Sequence, residues 1–432
     1  MDGTPETFLP YLVAVNLTKR CNLACAHCYM DAQQRASAEG EMSDAELKDM
    51  FAEIGARAPG TILVLTGGEP LMHPGLLGLV RAGKESGLRM VLGTNGVLLT
   101  EGLAAKLKAA GLEGMGISLD SVYPKSHDLF RGVSGAFAKS CNAVRLCRAA
   151  GMHAQIHFTV TRWNRAEIPE AVTMARNLGA AILNFFFLVC VGRGEGLMDL
   201  SAAEYEDALR EIAILQKTAP GILVQTRCTP HFKRILHEND PEDPYTRATG
   251  YDGGGCLAAT HYCRITPKGE MTPCPYIEES GGNVRTQGFW PVWDGNALFG
   301  SLRKPELLQG RCGACEYKQI CGGCRARAFA EKGDLLAEDP NCGYVPKGAE
   351  PVQALLPGRP GVALRPEGGE RSGEVDWTPE ARDRLSHLPV FLRPMVKRKL
   401  EERARRENTP VTLELMRKHR EERERELGIK FN

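Results

Sequence analysis

Six short apolar runs punctuate the first 190 residues: Tyr11–Leu17, Thr61–Leu65, Arg89–Leu92, Gly114–Leu119, Ala154–Val160 and Ala181–Val189. Each is rich in Val, Ile, Leu or Phe and shows little polar alternation. A strand with one wet face alternates, whereas a strand covered on both faces does not, and such strands belong to parallel sheets. The stretches between the runs are amphipathic and read as helices. Ser43-Asp44-Ala45-Glu46 is a capping-box start for one of them. Six βα units joined by right-handed crossovers predict an α/β fold, a curled parallel sheet or partial (β/α)6 TIM-like barrel. In these folds chemistry collects at the C-terminal ends of the strands.

The chain has 432 residues, so two or three domains are expected. Residues 201–219 read as a helix. From about 250 to 345 the text changes to short Gly- and Pro-punctuated pieces crowded with cysteine. That segment has too few apolar residues for a core of its own and is expected to fold around metal. Residues 346–373 are rich in Pro and Gly and read as a linker. The remainder is charged and helical. Thr378-Pro379-Glu380 supplies an N-cap with Pro at the first helical position, and Phe391, Leu392, Met395, Val396 and Leu400 recur at helical spacing. The expected division is 1–240, 241–345, 346–373 and 374–432. A net charge of +1 gives no argument for nucleic acid or an acidic membrane surface. No run of 18 apolar residues is present and the start lacks a basic and then apolar leader, so a cytoplasmic protein is expected.

Fifteen cysteines are many for such a chain, and in a reducing compartment clustered cysteines read as metal ligands. Cys21, Cys25 and Cys28 directly follow the first predicted strand. Three thiolates on one tight loop can hold three corners of a [4Fe–4S] cube and leave the fourth iron open to a ligand with its own donors. On spacing alone, a zinc site completed by His27 or a distant residue is the competing reading. The second group is Cys256, Cys263, Cys274, Cys312, Cys315, Cys321, Cys324 and Cys342, for which a pair of zinc ribbons is the competing reading. Cys141, Cys147 and Cys190 read as buried structural thiols, and Cys228 as either packed or facing the active site.

With its neighbours, the first group resembles the cluster motif of radical S-adenosylmethionine (radical SAM) enzymes. Thr66-Gly67-Gly68-Glu69-Pro70 follows the second strand and resembles that family's GGEP motif. The resemblance implies that Gly67, Gly68, Glu69 and Pro70 hold the methionine amino group. It also puts Asn95 at the end of the third strand, Ser118 and Asp120 at the ribose, and His27 against adenine. The chemistry agrees, since glycine lets backbone approach a ligand and Glu69 can accept from an ammonium. One departure concerns the fifth strand, where relatives often carry Arg for the SAM carboxylate and this chain has His157.

The second group resembles the SPASM domain, which binds two auxiliary [4Fe–4S] clusters. The resemblance implies Cys256, Cys263, Cys274 and Cys324 for one cluster and Cys312, Cys315, Cys321 and Cys342 for the other. The Cys321–Cys324 spacing is one residue shorter than usual. Clusters ligated only by cysteine have no open iron, which suits electron transfer. Cofactors implied are therefore one open [4Fe–4S] cluster, SAM and two auxiliary clusters, with a reductant such as flavodoxin or ferredoxin.

Ser118–Gly132, His157–Asn164, Leu188–Gly194 and Gly322–Ala328 resemble the branch that modifies haem and its precursors, in which propionates of iron-coproporphyrin are oxidatively decarboxylated. Trp377–Met416 resembles the C-terminal domain of the B subunit of dark-operative protochlorophyllide reductase. Both imply a tetrapyrrole substrate. Arg131, Arg193 and Arg227 are candidate partners for its propionates. A peptide maturase is the alternative within the enzyme class, and a non-catalytic iron–sulfur electron carrier the alternative outside it. A carrier needs no GGEP loop and no open three-cysteine site.

Overall fold

All six apolar runs are strands: β1 (Leu12–Asn16), β2 (Ile62–Thr66), β3 (Arg89–Thr94), β4 (Gly114–Ser118), β5 (His153–Val160) and β6 (Ile182–Phe187). The computed structural model describes residues 8–197, 200–241, 255–352, 375–386, 393–407 and 409–427. The 346–373 linker falls largely outside these residues, as do Phe391, Leu392 and the side chain of Met395. Helices α1 (Asp44–Arg57), α2 (Leu76–Glu85), α3 (Glu101–Ala110), α4 (Pro124–Arg131), α5 (Ala136–Ala149), α6 (Ile168–Leu178) and α7 (Ala202–Thr218) alternate with the strands. The capping box at Ser43 and Glu46 starts α1.

A seventh parallel strand, β7 (Leu223–Arg227), follows α7, and α8 (His231–Asn239) follows it. The strand was not visible in the sequence because Gln225 and Arg227 interrupt its apolar residues. They do so for a reason of position. Ser118, His157, Asn184 and Gln225 are register partners across β4 to β7, so they share the inner face of the curled sheet. The other face is apolar: in β5, Ala154, Ile156, Phe158 and Val160 are buried in the main core.

The cysteine-rich segment does not stand apart from this sheet. Its β8 (Tyr262–Ile265) pairs parallel with β1, and β9 (Glu270–Thr272) and β10 (Gly282–Asn283) continue antiparallel. Among the described residues the order is β10-β9-β8-β1-β2-β3-β4-β5-β6-β7. The segment builds on the core of the barrel. Phe289, Trp293 and Phe299 are fully buried in the same core as Phe51 and Ile54 of α1, worth roughly 1.5–3 kcal/mol for each fully buried large apolar side chain. The segment borrows the outer face of α1: Phe289 N donates to the Glu53 carboxylate (3.0 Å), and Arg57 lies 4.1 Å from the Trp290 ring centre. Residues 1–359 accordingly form one compact unit.

The second unit, residues 360–432, contains helices Pro379–Ser386, Arg393–Glu407 and Leu413–Leu427 around buried Ala381, Leu400, Ala404, Val411 and Leu415. Thr378 Oγ1 accepts from Ala381 N, as its capping position predicts. Trp377 packs on this core and its Nε1 donates to Glu401. Among the described residues no helix is long and apolar enough to cross a membrane.

Candidate active site and cysteine groups

The loop after β1 carries Cys21, Cys25 and Cys28 into one small apolar cluster with Leu23, Met30 and Ala32. Each sulfur faces a donor. Cys21 Sγ accepts from Leu23 N (3.4 Å) and Asn95 Nδ2 (3.9 Å), Cys25 Sγ from Arg131 Nη1 (3.5 Å), and Cys28 Sγ from Ala32 N (3.3 Å). Burial pushes the Cys21 thiol up to about 12, so binding a metal there must displace a proton. At Cys25 burial raises the thiol and Arg131 opposes it. These donors are what sulfur carrying negative charge would use.

Two of the candidate arginines hold this loop. Arg131 is 7% exposed and pairs with Asp120 at 2.5 Å, while its backbone carbonyl accepts from Ala24 N. Arg193 Nε donates to Cys25 O (3.0 Å), and its Nη1 donates to Ala32 O (2.9 Å) and pairs with Asp31. Arg227 donates to Gln225 and to Thr226 O.

The loop after β2 is bound edge-on to the cysteine loop. Gly68 N donates to Thr18 O (2.8 Å) and Glu69 N to Arg20 O (2.9 Å). A Cβ on Gly68 would lie 2.3 Å from Arg20 O and one on Gly67 2.7 Å from Thr18 O, so only glycine allows this approach. Glu69 is fully buried and caps the 3₁₀ turn Pro70–Met72, with Pro70 at its first position. Its Oε1 accepts from Leu71 N (2.9 Å) and Thr94 Oγ1 (2.7 Å), and its Oε2 from Asn95 N (2.9 Å). Burial raises its pKa and these donors oppose the rise. A carboxylate offers about four lone-pair sites, so one remains for an incoming cation. Asn95 spends its side chain on Cys21, Asn22 and Val97 N.

The Asp120 carboxylate is fully buried, with Oδ2 on Arg131 and Oδ1 accepting from Thr159 N (3.0 Å). It supports Arg131 and, like Glu69, keeps one lone pair unspent. Ser118 lies on the inner face, partly exposed. His27 stacks on Phe130 at 4.5 Å and 4°, and Phe130 stacks on the half-exposed Trp163. Burial and Arg131 lower His27 to about 4, and its Nδ1 has no partner, which leaves a neutral acceptor at the site. His157 is likewise lowered to about 4, by burial and then by Arg227, so it is not a standing cation for a carboxylate.

Cys312, Cys315, Cys321 and Cys342 line one concavity of about 390 Å³, part of it open to solvent. Tyr317 N donates to Cys315 Sγ (3.4 Å), Gly323 N to Cys321 Sγ (3.5 Å) and Asp339 N to Cys312 Sγ (3.4 Å). These four are the second expected set. The first expected set lies in two places. Cys274 and Cys324 pack together, and Cys256 is within electrostatic reach of both. Cys263 is elsewhere: it is a register partner of Val13, is fully buried in the main core, and among charged groups feels only Arg303. Side chains alternate along a strand, and Arg264 next to it donates to Pro275 O beside Cys274 (2.8 Å), so Cys263 points the opposite way. Cys228, which the sequence left between packing and function, lies with Cys274 and Cys324. Among the described residues no three His, Cys, Asp or Glu side chains are gathered tightly enough for a single metal ion.

Asp339 ties the cysteine-rich segment to the barrel. It is fully buried, accepts from Cys324 N (2.6 Å), and pairs with His231 (3.0 Å) and Arg327 (3.2 Å). Burial alone would raise it, but Arg327 and His231 hold it far below the usual carboxylate range. Arg327 also donates to Tyr205 Oη (2.8 Å) and Cys228 O (3.1 Å).

Residues 15–175 match the radical SAM superfamily, 256–325 an iron–sulfur cluster-binding domain of the SPASM type, and 377–420 the proto-chlorophyllide reductase 57 kD subunit family. The chain is 39% identical to an AdoMet-dependent heme synthase of Methanosarcina barkeri over 345 residues, 79% of this chain and 98% of that relative. It is 30% identical to a pre-heme d1 synthase of Dinoroseobacter shibae, covering 79% of this chain and 87% of that one. In fold it is similar to Streptococcus suis SuiB bound to S-adenosylmethionine, with a TM-score of 0.63 at 17% identity over 78% of each chain.

Proposed function

The chain belongs to the radical SAM superfamily and is an enzyme of it, and on that premise we propose that it oxidatively modifies a haem precursor, by decarboxylating propionate side chains. The observation that carries the substrate class is the 39% identity to an AdoMet-dependent heme synthase, which runs through the barrel and the cysteine-rich segment alike. Within this reading Cys21, Cys25 and Cys28 hold a [4Fe–4S] cluster with one open iron. Their fit to it is the three sulfurs with one or more N–H donors each. When bound, the reduced cluster supplies the electron that cleaves SAM to methionine and a 5′-deoxyadenosyl radical.

The chain's own residues set the stage for that step. Arg131 and Asn95 fix two of the sulfurs, Asp120 fixes Arg131, and Arg193 clamps the loop from the β6 side. Glu69 offers its remaining lone pair to the SAM ammonium, a charge-assisted bond inside a buried pocket. His27 keeps a neutral Nδ1 beside the cysteine loop. The cysteines of the second group would hold auxiliary clusters, which would supply an acceptor for the electron left by oxidation of substrate. A flavodoxin or ferredoxin in the cytoplasm supplies the reducing electron. The helical unit at the C-terminus, by its match to the proto-chlorophyllide reductase 57 kD subunit family, is itself read as tetrapyrrole-binding.

The test uses anaerobically reconstituted full-length protein with SAM, reductant and iron-coproporphyrin. Formation of 5′-deoxyadenosine together with propionate-to-vinyl conversion, read by mass spectrometry, is expected. SAM cleavage with no change in the porphyrin overturns the substrate and leaves the superfamily chemistry standing. Deletion after residue 350 should spare uncoupled SAM cleavage, since the cysteine loop and Glu69 lie in the other unit, and should weaken porphyrin binding. Equal affinity overturns a tetrapyrrole-binding role for the tail.

A further inference from the structure

We propose that Cys228, and not Cys263, is the fourth thiolate of the first auxiliary cluster, beside Cys256, Cys274 and Cys324. This rests on the auxiliary-cluster reading above and concerns which residue of the chain completes it.

Cys228 is the residue after β7, at the C-terminal end of the last parallel strand, where side chains of the barrel mouth emerge. Its φ is +60°, in the left-handed region that a non-glycine residue occupies rarely and at a cost. Such backbone persists where its surroundings fix it. Here Arg327, buried and anchored on Asp339, donates to Cys228 O at 3.1 Å. The turn aims the side chain into the small cluster formed by Val189, Ile277, Cys274 and Cys324. Tyr276 packs on the same cluster.

The four thiols are mutual neighbours. Cys324 and Cys256 act on Cys228, and Cys228, Cys256 and Cys324 all act on Cys274. None is in a disulfide. Four thiols crowded together, Cys324 buried and the other three partly so, serve little packing purpose, and as thiolates they repel unless a cationic centre lies between them. Cys263 is free and buried as well, but it is not one of these neighbours. It sits on the helix-facing side of β8, with Val13 and Ile265 in the main core, and none of the other thiols acts on it. The arrangement has a mechanical meaning. A cluster held by Cys228 takes one ligand from the barrel and three from the cysteine-rich segment, and so clasps the two at the barrel mouth.

The test is iron, acid-labile sulfide and zinc content, with electron paramagnetic resonance of the reduced state, on reconstituted full-length protein. The wild type should hold about twelve irons, four per cube. Cys228→Ala should lose up to about four of them. Cys228→Ser, which offers oxygen in place of sulfur, should keep more iron and shift the resonance of one auxiliary cluster. Cys263→Ala should keep the wild-type iron and spectrum. Iron and spectra unchanged in both Cys228 variants, or an altered auxiliary signal in Cys263→Ala, overturn the proposal. A wild type with about four irons, or with zinc in the second cysteine group, overturns the auxiliary-cluster reading and this assignment together.

Discussion

Replacing Glu69 by Gln separates the two jobs that its carboxylate performs. The side chain keeps its shape but gains an NH2 group in place of one acceptor. If the remaining oxygen stays on Leu71 N and Thr94 Oγ1, the new NH2 faces Asn95 N, which now has no acceptor. A buried donor left without a partner costs about 1–3 kcal/mol, which lowers the melting midpoint by a few degrees in a unit of this size. Separately, the ammonium of SAM loses a charged acceptor. A hydrogen bond to a charged group contributes about 1.5–3 kcal/mol, so SAM affinity should fall roughly 10- to 150-fold. The control is Thr94→Val, which removes one donor to Oε1 and leaves the charge. It should lower the midpoint and change SAM affinity little. Equilibrium dialysis with SAM and thermal unfolding by circular dichroism, both anaerobic, read the two effects. Wild-type affinity in a correctly folded Glu69→Gln protein would show that the residue only staples the loops after β2 and β3.

Three further perturbations follow from the geometry. Gly68→Ala drives a Cβ to within 2.3 Å of Arg20 O, so it should displace the cysteine loop and remove about four irons while the auxiliary iron stays; full iron content would refute the close approach. Arg131→Met leaves the buried Asp120 carboxylate uncompensated and should cost about 3–5 kcal/mol in stability, with much of it recovered in the Asp120→Asn, Arg131→Met double variant; a single variant as stable as the wild type would rule this out. The Ser43 N–H and hydroxyl, with Arg285 behind them, pull the Glu46 carboxyl down to about 2. That contribution is present above the unfolded value of about 4.3 and fades as pH falls toward 2, so the difference in melting midpoint between wild type and Glu46→Gln should close across that window and stay constant above it.

The strands that could be read from the sequence were those whose residues report burial directly. Ile62–Leu65 and Ile182–Phe187 are apolar enough for no other reading. Leu223–Arg227 was hidden because a short strand at the barrel mouth spends alternate positions on polar inner-face residues, which erases the run. The cysteine-rich segment looked coreless because its buried aromatics lie on a helix more than 230 residues earlier, a pairing that no local pattern encodes. The three-cysteine loop and its glycines were legible, since close backbone approach leaves a glycine signature. The arginines were not: Arg131 reaches a sulfur 106 residues away, and a guanidinium looks the same in sequence whether it awaits a substrate or grips a loop. The place of Cys263 in the fold was not legible for a plainer reason. Spacing along the chain does not tell which face of a strand a residue will occupy, and one position in either direction reverses the answer.

The pairing of β8 with β1 bears on how the protein is made. Leu12 meets Tyr262, so the strand that leads into the first cysteine loop acquires one of its two neighbours about 250 residues later. At about 5–20 residues per second, that edge waits on the order of 10–50 s as the ribosome works. An unpaired strand edge is a template for unwanted association, and pairings this distant along the chain fold slowly. The growing chain is therefore most vulnerable before its cysteine-rich segment emerges. Expression at low temperature, or with chaperones that shield exposed strands, should raise the soluble yield of the full-length protein far more than that of its separate helical tail.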